Sequence, residues 1–528
     1  MKLPRGLLIV CACILLGGWI GLWLSGWQAM DVSDSMVATR SSEQADSYFH
    51  AVVDPISTPW AVAFPKGAIE DEMVLYFTNR KEYQNYLKML AQAGLSPLGQ
   101  IDELMVVRIG KQAMVGPKPS IFGGESGFSY RVQRPLPPVD VAPELYAQLY
   151  AYGESARVII GSSFEGDGSG VLVGILDSGI TAHSQFGDVY IAQIDLAGGG
   201  VDGPGAEHGT AVASIIAGAE GIAPSAELLV VRVLDDQGLG NSFHVAAGIV
   251  QATDLGVDVL NMSLGVYQDT QLLREAIRYA HSKGVILVAA AGNDGYPQMP
   301  YPAAYPQVLS VTAVDAVGRQ ALFPNQSERI DFAAPGVGVL TAKEDTGTML
   351  FSGTSAAAPF VSGSLAALLS SEIPRTHQEV VDVMRKYLDE AGAPGSDPVY
   401  GAGVVNWDRL RERNTTTVRD VAVAEIYLQP NAQPGTTMPI EVIVQNRGTS
   451  WLTSAALSVV VGESDPVDFT IGTLGPGQIT TRKVFAQVPP ITSGASLNIA
   501  AQVLTDEPLE DVRFENNTKV VLFKPVLR

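Results

Sequence analysis

"FSGTSAAAPFVSG", residues 351 to 363, is the stretch on which the fold turns. Three alanines favour a helix, and a proline close behind them is tolerated only in a helix's first turn. The segment therefore reads as a tight turn feeding a helix, with Ser355 at or near the helix N-terminus. The continuation "FVSGSLAALLSS" is small and apolar, as suits a helix buried inside a larger domain. A helix N-terminus exposes free N–H groups and a positive dipole end, so it stabilises negative charge developing beside it. A lone serine there is only an N-cap, unless a base and an orienting acid stand elsewhere in the chain.

Working outward, the runs "GVLVGILDSG", "ELLVVRVL", "VDVLNMSLG", "GVILVAAAGN" and "VLSVTAVD" are apolar and β-branched, the pattern of strands buried on both faces. Helical stretches lie between them: "HGTAVASIIAGA", "FHVAAGIVQATDLG" and "QLLREAIRYAHSKG". This alternation argues for an α/β fold, a parallel sheet with helices on both faces. In such a sheet, functional groups gather at the carboxyl ends of strands. Asp177 ends one strand, His208 opens a helix, Asn293 follows another strand and Ser355 opens the last long helix. Each alone has a plain reading: a turn former, two caps and a left-handed residue beside Gly292. Together, the order Asp, His, Ser is one of the known arrangements of a catalytic triad.

Here the sequence resembles the subtilisin-like serine proteases, the subtilases. The matching motifs are "LDSG" at 176 to 179, "HGT" at 208 to 210 and "GTSAAAP" at 353 to 359, with "NMSLG", "AAGN" and "GAGVVN" in support. The resemblance covers roughly residues 145 to 412. It implies Ser355 as nucleophile, His208 as the base that takes and returns its proton, and Asp177 as the group that orients the imidazole. Asn293, with the Ser355 backbone N–H, would stabilise the oxyanion. Subtilases hold a peptide as an added strand between two edge segments, here Gly238-Leu239-Gly240 and Ser263-Leu264-Gly265. The primary pocket would be walled by Leu264-Gly265 and Ala289-Ala290-Ala291 and floored by Pro300, a proline that makes it shallower. Asp294 at the rim would mildly favour a basic side chain.

Two departures stand out. The loop between the His208 helix and "GIAPSA" is short, so the calcium loop found there in many subtilases is missing and no tight calcium is expected. An alanine follows Ser355 where methionine is frequent, a packing change. No cofactor is expected, and no HExxH or Cys/His cluster suggests zinc. His183, His244 and His281 read as surface residues without a role.

At 528 residues the chain is too long for one core. Its net charge of −21 argues against a nucleic-acid partner and suits a soluble exported protein. Residues 1–30 carry Lys2 and Arg5, then an uncharged apolar run to Trp27, and are read as an N-terminal membrane anchor in preference to a removed signal peptide. Both cysteines, Cys11 and Cys13, lie there, so no disulfide staples the rest. Residues 31–122 hold a small βαβ-like unit ("DEMVLYF", "NRKEYQNYLKMLAQAG", "LMVVRIG") that looks like the subtilase propeptide, and 123–144, rich in Gly and Pro, read as a linker. The peptidase-like domain spans 145–412. Residues 418–528 alternate like an antiparallel, all-β Ig-like sandwich and resemble the CARDB module of bacterial surface proteins through "VQNRGTS", "GTLGPGQ" and "FENNTKVV". Expected partners are protein or peptide substrates, the chain's own propeptide region, and a surface protein or glycan for the C-terminal module. The competing readings are a pseudoprotease and a surface binding module whose protease domain serves only its own maturation.

Overall fold

In the structure, a computed structural model, residues 60, 62–114, 127–135, 149–161, 166–201, 203–321, 323–344, 346–371, 376–429, 432–490, 496–505 and 511–524 are described. The expected anchor, residues 1–30, lies outside them; among the described residues no helix is long and apolar enough to cross a membrane.

The N-terminal unit has strands β1 (Glu72–Tyr76), β2 (Gly99–Ile101) and β3 (Val106–Gly110) and the helix Arg80–Gln92. Asn79 starts that helix, its side chain accepting from the Glu82 N–H at 2.9 Å. The unit is not a βαβ crossover: the order is β1-β3-β2 and both pairings are antiparallel. A crossover needs parallel neighbours, whereas here the short β2 turns the chain back before β3 joins β1. Alternation gives the sheet two apolar faces. Met73, Leu75, Val107 and Ile109 pack with Tyr83, Tyr86 and Leu90 of the helix, while Val74, Tyr76, Ile101 and Val106 join a cluster with Phe243 and Ile277 of the next domain. Beyond this unit, β4 (Arg131–Gln133) is a strand inside the segment read as a linker.

The central domain is built on β5 (Leu172–Asp177), β6 (Ile191–Asp195), β7 (Glu227–Arg232), the short β8 (Leu239–Asn241), β9 (Val259–Met262), β10 (Ile286–Ala290), β11 (Val308–Val314), β12 (Phe332–Pro335), the hairpin β13 (Val339–Lys343) and β14 (Gly347–Phe351), β15 (Leu388–Asp389) and β16 (Val404–Val405). Nine of these form one sheet in the order β15-β16-β12-β11-β10-β9-β5-β7-β6. Its pairings are parallel except β15 with β16. From β5 the chain crosses to the edge strand β6, comes back to fill in β7 between β6 and β5, then lays β9 on the other side of β5. That reversal makes the carboxyl ends of β5 and β9 the place where a binding crevice opens. The helix Thr354–Leu369 is buried from Thr354 through Leu368, apolar all round as a central helix must be.

The C-terminal part is a two-sheet antiparallel sandwich. Strands β17 (Val421–Leu428), β18 (Thr437–Asn446) and β21 (Ile479–Gln487) make one sheet. Strands β20 (Val467–Ile471), β19 (Ala455–Val461), β22 (Leu497–Thr505) and β23 (Thr518–Phe523) make the other. Inward-facing Ile440, Val442, Leu457, Val459 and Val503 fill the space between them.

Candidate active site

Asp177 is the last residue of β5 and is fully buried. Its Oδ1 accepts from the Ser178 N–H at 2.7 Å and meets His208 Nδ1 at 2.8 Å. A carboxylate only accepts, so the proton of this contact sits on Nδ1 and the lone pair of the neutral ring is at Nε2. His208 is the second residue of the helix Glu207–Ile216. That helix approaches the end of β5 closely because Gly209 has no side chain: a Cβ there would stand 2.1 Å from the Gly179 carbonyl oxygen. The Phe351 ring, at the end of β14, packs edge-on against the imidazole with centroids 5.3 Å apart.

Ser355 is the second residue of its helix, 2% exposed. Its Oγ is buried without a hydrogen-bond partner, a common state of a nucleophile before substrate tightens the site. Gly353 caps the helix at φ +128°, and a Cβ on it would lie 2.7 Å from Asn293 Nδ2. The opening motif thus brings the turn against Asn293. The Asn293 Oδ1 accepts from both the N–H and the hydroxyl of Thr354, each at 2.9 Å. The backbone N–H can only donate, so the oxygen faces Thr354 and Nδ2 is left as the donor of that amide.

Pro359 is not in the first turn, as the sequence alone suggests, but at the sixth helical position. A proline there has no N–H for the carbonyl four residues before it, which is that of Ser355. The Ser263 hydroxyl donates to this carbonyl at 3.3 Å. Ser263 Oγ in turn accepts from Asn261 Nδ2 at 3.1 Å, and Asn261 Oδ1 accepts from the Ser362 hydroxyl at 2.9 Å. All of these groups are buried. Sequence reasoning does not reach Asn261 and Ser362, although the unpaired carbonyl behind the proline is a signal that such partners must exist.

Gly238, Leu239 and Gly240 on one side and Ser263, Leu264 and Gly265 on the other flank β4. Register pairs Arg131 with Asn241, Val132 with Gly240 and Gln133 with Leu239, all antiparallel. Opposite, Gln133 donates to the Gly265 carbonyl at 3.1 Å and accepts from the Gly265 N–H at 2.9 Å; Arg134 N–H donates to Gly238 at 3.2 Å. Ala290 and Ala291 are fully buried at the end of β10. Pro300 touches both Gly265 and Gly292. Asp294 accepts the Tyr267 hydroxyl, and Asn325 donates to that hydroxyl at 2.8 Å. Burial and then the Asp294 bond push the Tyr267 phenol well above its usual range, so it stays a donor. The rim carboxylate therefore has a partner already. His244, read as a surface residue, is instead partly buried and meets Arg108 of the N-terminal unit, Nε2 to NH2 3.2 Å. Among the described residues no group of three or more His, Cys, Asp or Glu is placed to hold a metal ion.

A family model described as the subtilase family matches residues 168–403. Subtilisin Savinase of Lederbergia lenta is 36% identical over 252 residues, 45% of this chain and 90% of that protein. The thermophilic serine proteinase of Bacillus sp. (strain AK1) is 31% identical over 359 residues, 64% of this chain and 88% of that protein. The minor extracellular protease Epr of Bacillus subtilis (strain 168) is 33% identical over 251 residues, 46% of this chain but only 38% of that protein. With the sheet, the buried Asp-His pair and the serine-bearing helix in this order, the chain belongs to the subtilase family of serine endopeptidases.

Proposed function

We propose that this chain is the precursor of an exported serine endopeptidase that processes itself. The observation that carries the reading is the strand 131–133, held on both edges as a peptide substrate would be, beside the Asp177–His208 pair and Ser355. In the first half-reaction Ser355 Oγ adds to a peptide carbonyl while His208 Nε2 takes its proton. Asp177 stabilises the resulting imidazolium, and Asn293 Nδ2 and the Ser355 N–H stabilise the oxyanion. His208 then protonates the departing amine. Water, activated by the same imidazole, releases the acyl group. While it sits in the crevice, the N-terminal segment keeps other peptides out. Export rests on Lys2, Arg5 and the apolar run behind them, which also serve as a membrane tether until self-cleavage frees the catalytic domain and its C-terminal module. That module, with its CARDB-like motifs, is proposed to engage a surface protein or glycan.

The test is expression of wild type beside Ser355→Ala. Replacing the nucleophile is expected to cost on the order of 10⁶ in kcat, so the mutant should accumulate full-length protein, escape fluorophosphonate labelling and leave casein intact. Identical processing in both proteins would refute self-cleavage. Casein left intact by a wild type that has cut itself would favour the reading in which proteolysis serves maturation alone.

A further inference from the structure

The register of the docked strand narrows which residue of the chain comes near the nucleophile. Gln133 and Gly265 exchange both backbone hydrogen bonds. In an antiparallel pair, two residues forward on one strand match two residues back on the other. Pro135 therefore comes opposite Ser263, the residue whose hydroxyl reaches the Ser355 carbonyl. Arg131, Gln133 and Pro135, every second residue of the docked segment, line one cavity with Gly265, Gly292 and Pro300. Pro135 is the last of the three, and Gly292 immediately precedes Asn293.

Pro300 reaches both walls of that slot. A Cβ on Gly265 would lie 2.7 Å from Pro300 Cβ, and a Cβ on Gly292 would lie 3.2 Å from Pro300 Cδ. The Pro300 ring thus bridges the two walls, and glycine in each wall is what makes room for it. A long or flat aromatic side chain has no way between them, whereas a short one fits in front of the ring. Pro135 is short, and it lacks the N–H that the register would direct at Ser263, so ring contact and not a hydrogen bond seats it.

We infer that the primary pocket selects short side chains, prolyl and alanyl, on the acyl side of the scissile bond. The first bond it cuts is the chain's own, between Pro135 and Leu136. This rests on the protease reading above. In that step Ser355 Oγ adds to the Pro135 carbonyl carbon and its proton passes to His208. The Pro135–Leu136 C–N bond breaks as His208 gives the proton to the Leu136 nitrogen, leaving a Pro135 ester on Ser355. Water then hydrolyses the ester, yielding the Pro135 carboxylate and free Ser355.

The experiment has two readouts. Full-length wild type is allowed to mature and its new N-terminus is sequenced, with Ser355→Ala as the uncut control; Leu136 is the expected first residue. The matured enzyme is then given quenched-fluorescent peptides Val-Gln-Arg-X-Leu with X proline, alanine or phenylalanine. The kcat/KM for proline and alanine should exceed that for phenylalanine by at least about tenfold, the discrimination a steric pocket supplies. Pro300→Gly should reverse the order by opening the slot, and Pro300→Ala should move it part of the way. The ratio between substrates does not depend on how much variant folds. A Ser355-dependent N-terminus other than Leu136 overturns the register, and phenylalanine preferred by the wild type, or a ratio unmoved in Pro300→Gly, overturns the pocket; the protease reading survives each of these. No Ser355-dependent cleavage of chain or peptide refutes the protease reading and this assignment with it.

Discussion

Acid should loosen the N-terminal unit from the catalytic domain through one contact, His244 against Arg108. Arg108 NH2 stands 3.2 Å from His244 Nε2, and Asn241 Nδ2 stands 3.2 Å from His244 Nδ1. The neutral ring carries one N–H and accepts at its other nitrogen; because Arg108 and Asn241 present donors to both sides, a second ring proton would face a donor instead of an acceptor. Glu72 lies 3.7 Å from the Arg108 guanidinium, which also stacks over Phe243 at 5.0 Å. Arg131 and Asp235 share a groove with the ring. Burial first, and then the Arg108 charge, lower the His244 pKa to about 4, with Asp195 pulling the other way. Docked, the histidine resists protonation, whereas undocked it titrates near its ordinary value of about 6.5, so the undocked state binds more protons as the pH falls. The docking contribution is complete above about 6.5 and is lost as the pH drops towards 4.

A gap of about 2.5 units corresponds to about 3 kcal/mol at most. Two discounts apply. The ring is partly solvated, and Asn241 and Asp195 stay beside it when the N-terminal unit leaves, so about 1 kcal/mol, roughly fivefold in docking, is expected. The assay is hydrogen exchange in β1 and β3 of full-length Ser355→Ala, expected to stay uncut, between pH 7 and 5, above the ordinary carboxylate range; the buried Glu390, raised to about 7, is common to parent and variant. After correction for intrinsic exchange, protection should fall about fivefold in the parent and stay level in His244→Gln. An equal fall in both proteins would refute the reasoning.

Asn293→Ala should lower kcat by roughly 10²–10³ with KM little changed, the loss found on removing the oxyanion donor of subtilisin itself; steady-state peptide hydrolysis reads it. Arg409, 1% exposed, bonds the Leu388 carbonyl, Asp389 and the Arg447 carbonyl. Arg409→Leu should therefore destabilise the junction by about 3 kcal/mol, seen as a lower Tm by calorimetry. Because the loop after the His208 helix is short, EDTA should leave activity and Tm unchanged; a large drop would reveal a metal site.

The strands that announce themselves in sequence are those buried on both faces. β5, β7, β9, β10 and β11 are unbroken apolar runs, and their alternation with helical stretches is enough to put Asp177, Asn293 and Ser355 at the ends of elements. β6 does not announce itself, because an edge strand carrying Gln193 and Asp195 among half-buried neighbours has no apolar run to show. β15 and β16 are only two residues each, too short for any period to register. The antiparallel order of the N-terminal sheet is hidden because β2 is three residues of mixed character. Pro359 misleads for a physical reason. A helix buried all round can keep a proline in its second turn if another side chain serves the orphaned carbonyl, and Ser263 does so from ninety-two positions away in sequence.

The two seams of the catalytic domain are built from different chemistry, and this bears on what the proposed self-cleavage could release. At the N-terminal seam, apolar residues such as Val74, Ile101 and Val132 share a core with Phe243, backed by the hydrogen bonds of β4. If the chain is cut beyond β4 as proposed, that seam rests on burial, which is shape-tolerant and non-directional, and on the β4 hydrogen bonds, and the charge on His244 weakens it only about fivefold. At the C-terminal seam the contacts are directional. Arg409 reaches Leu388, Asp389 and the Arg447 carbonyl, Gln445 bonds the Leu388 carbonyl at 3.0 Å, and Arg513 ties Glu412 at 2.7 Å to Asp420 at 2.9 Å. Buried polar pairs of this kind add little net stability, but breaking one leaves its partners uncompensated, so they fix geometry. The sandwich is therefore expected to keep a set orientation to the crevice whether or not the N-terminal unit is released as proposed.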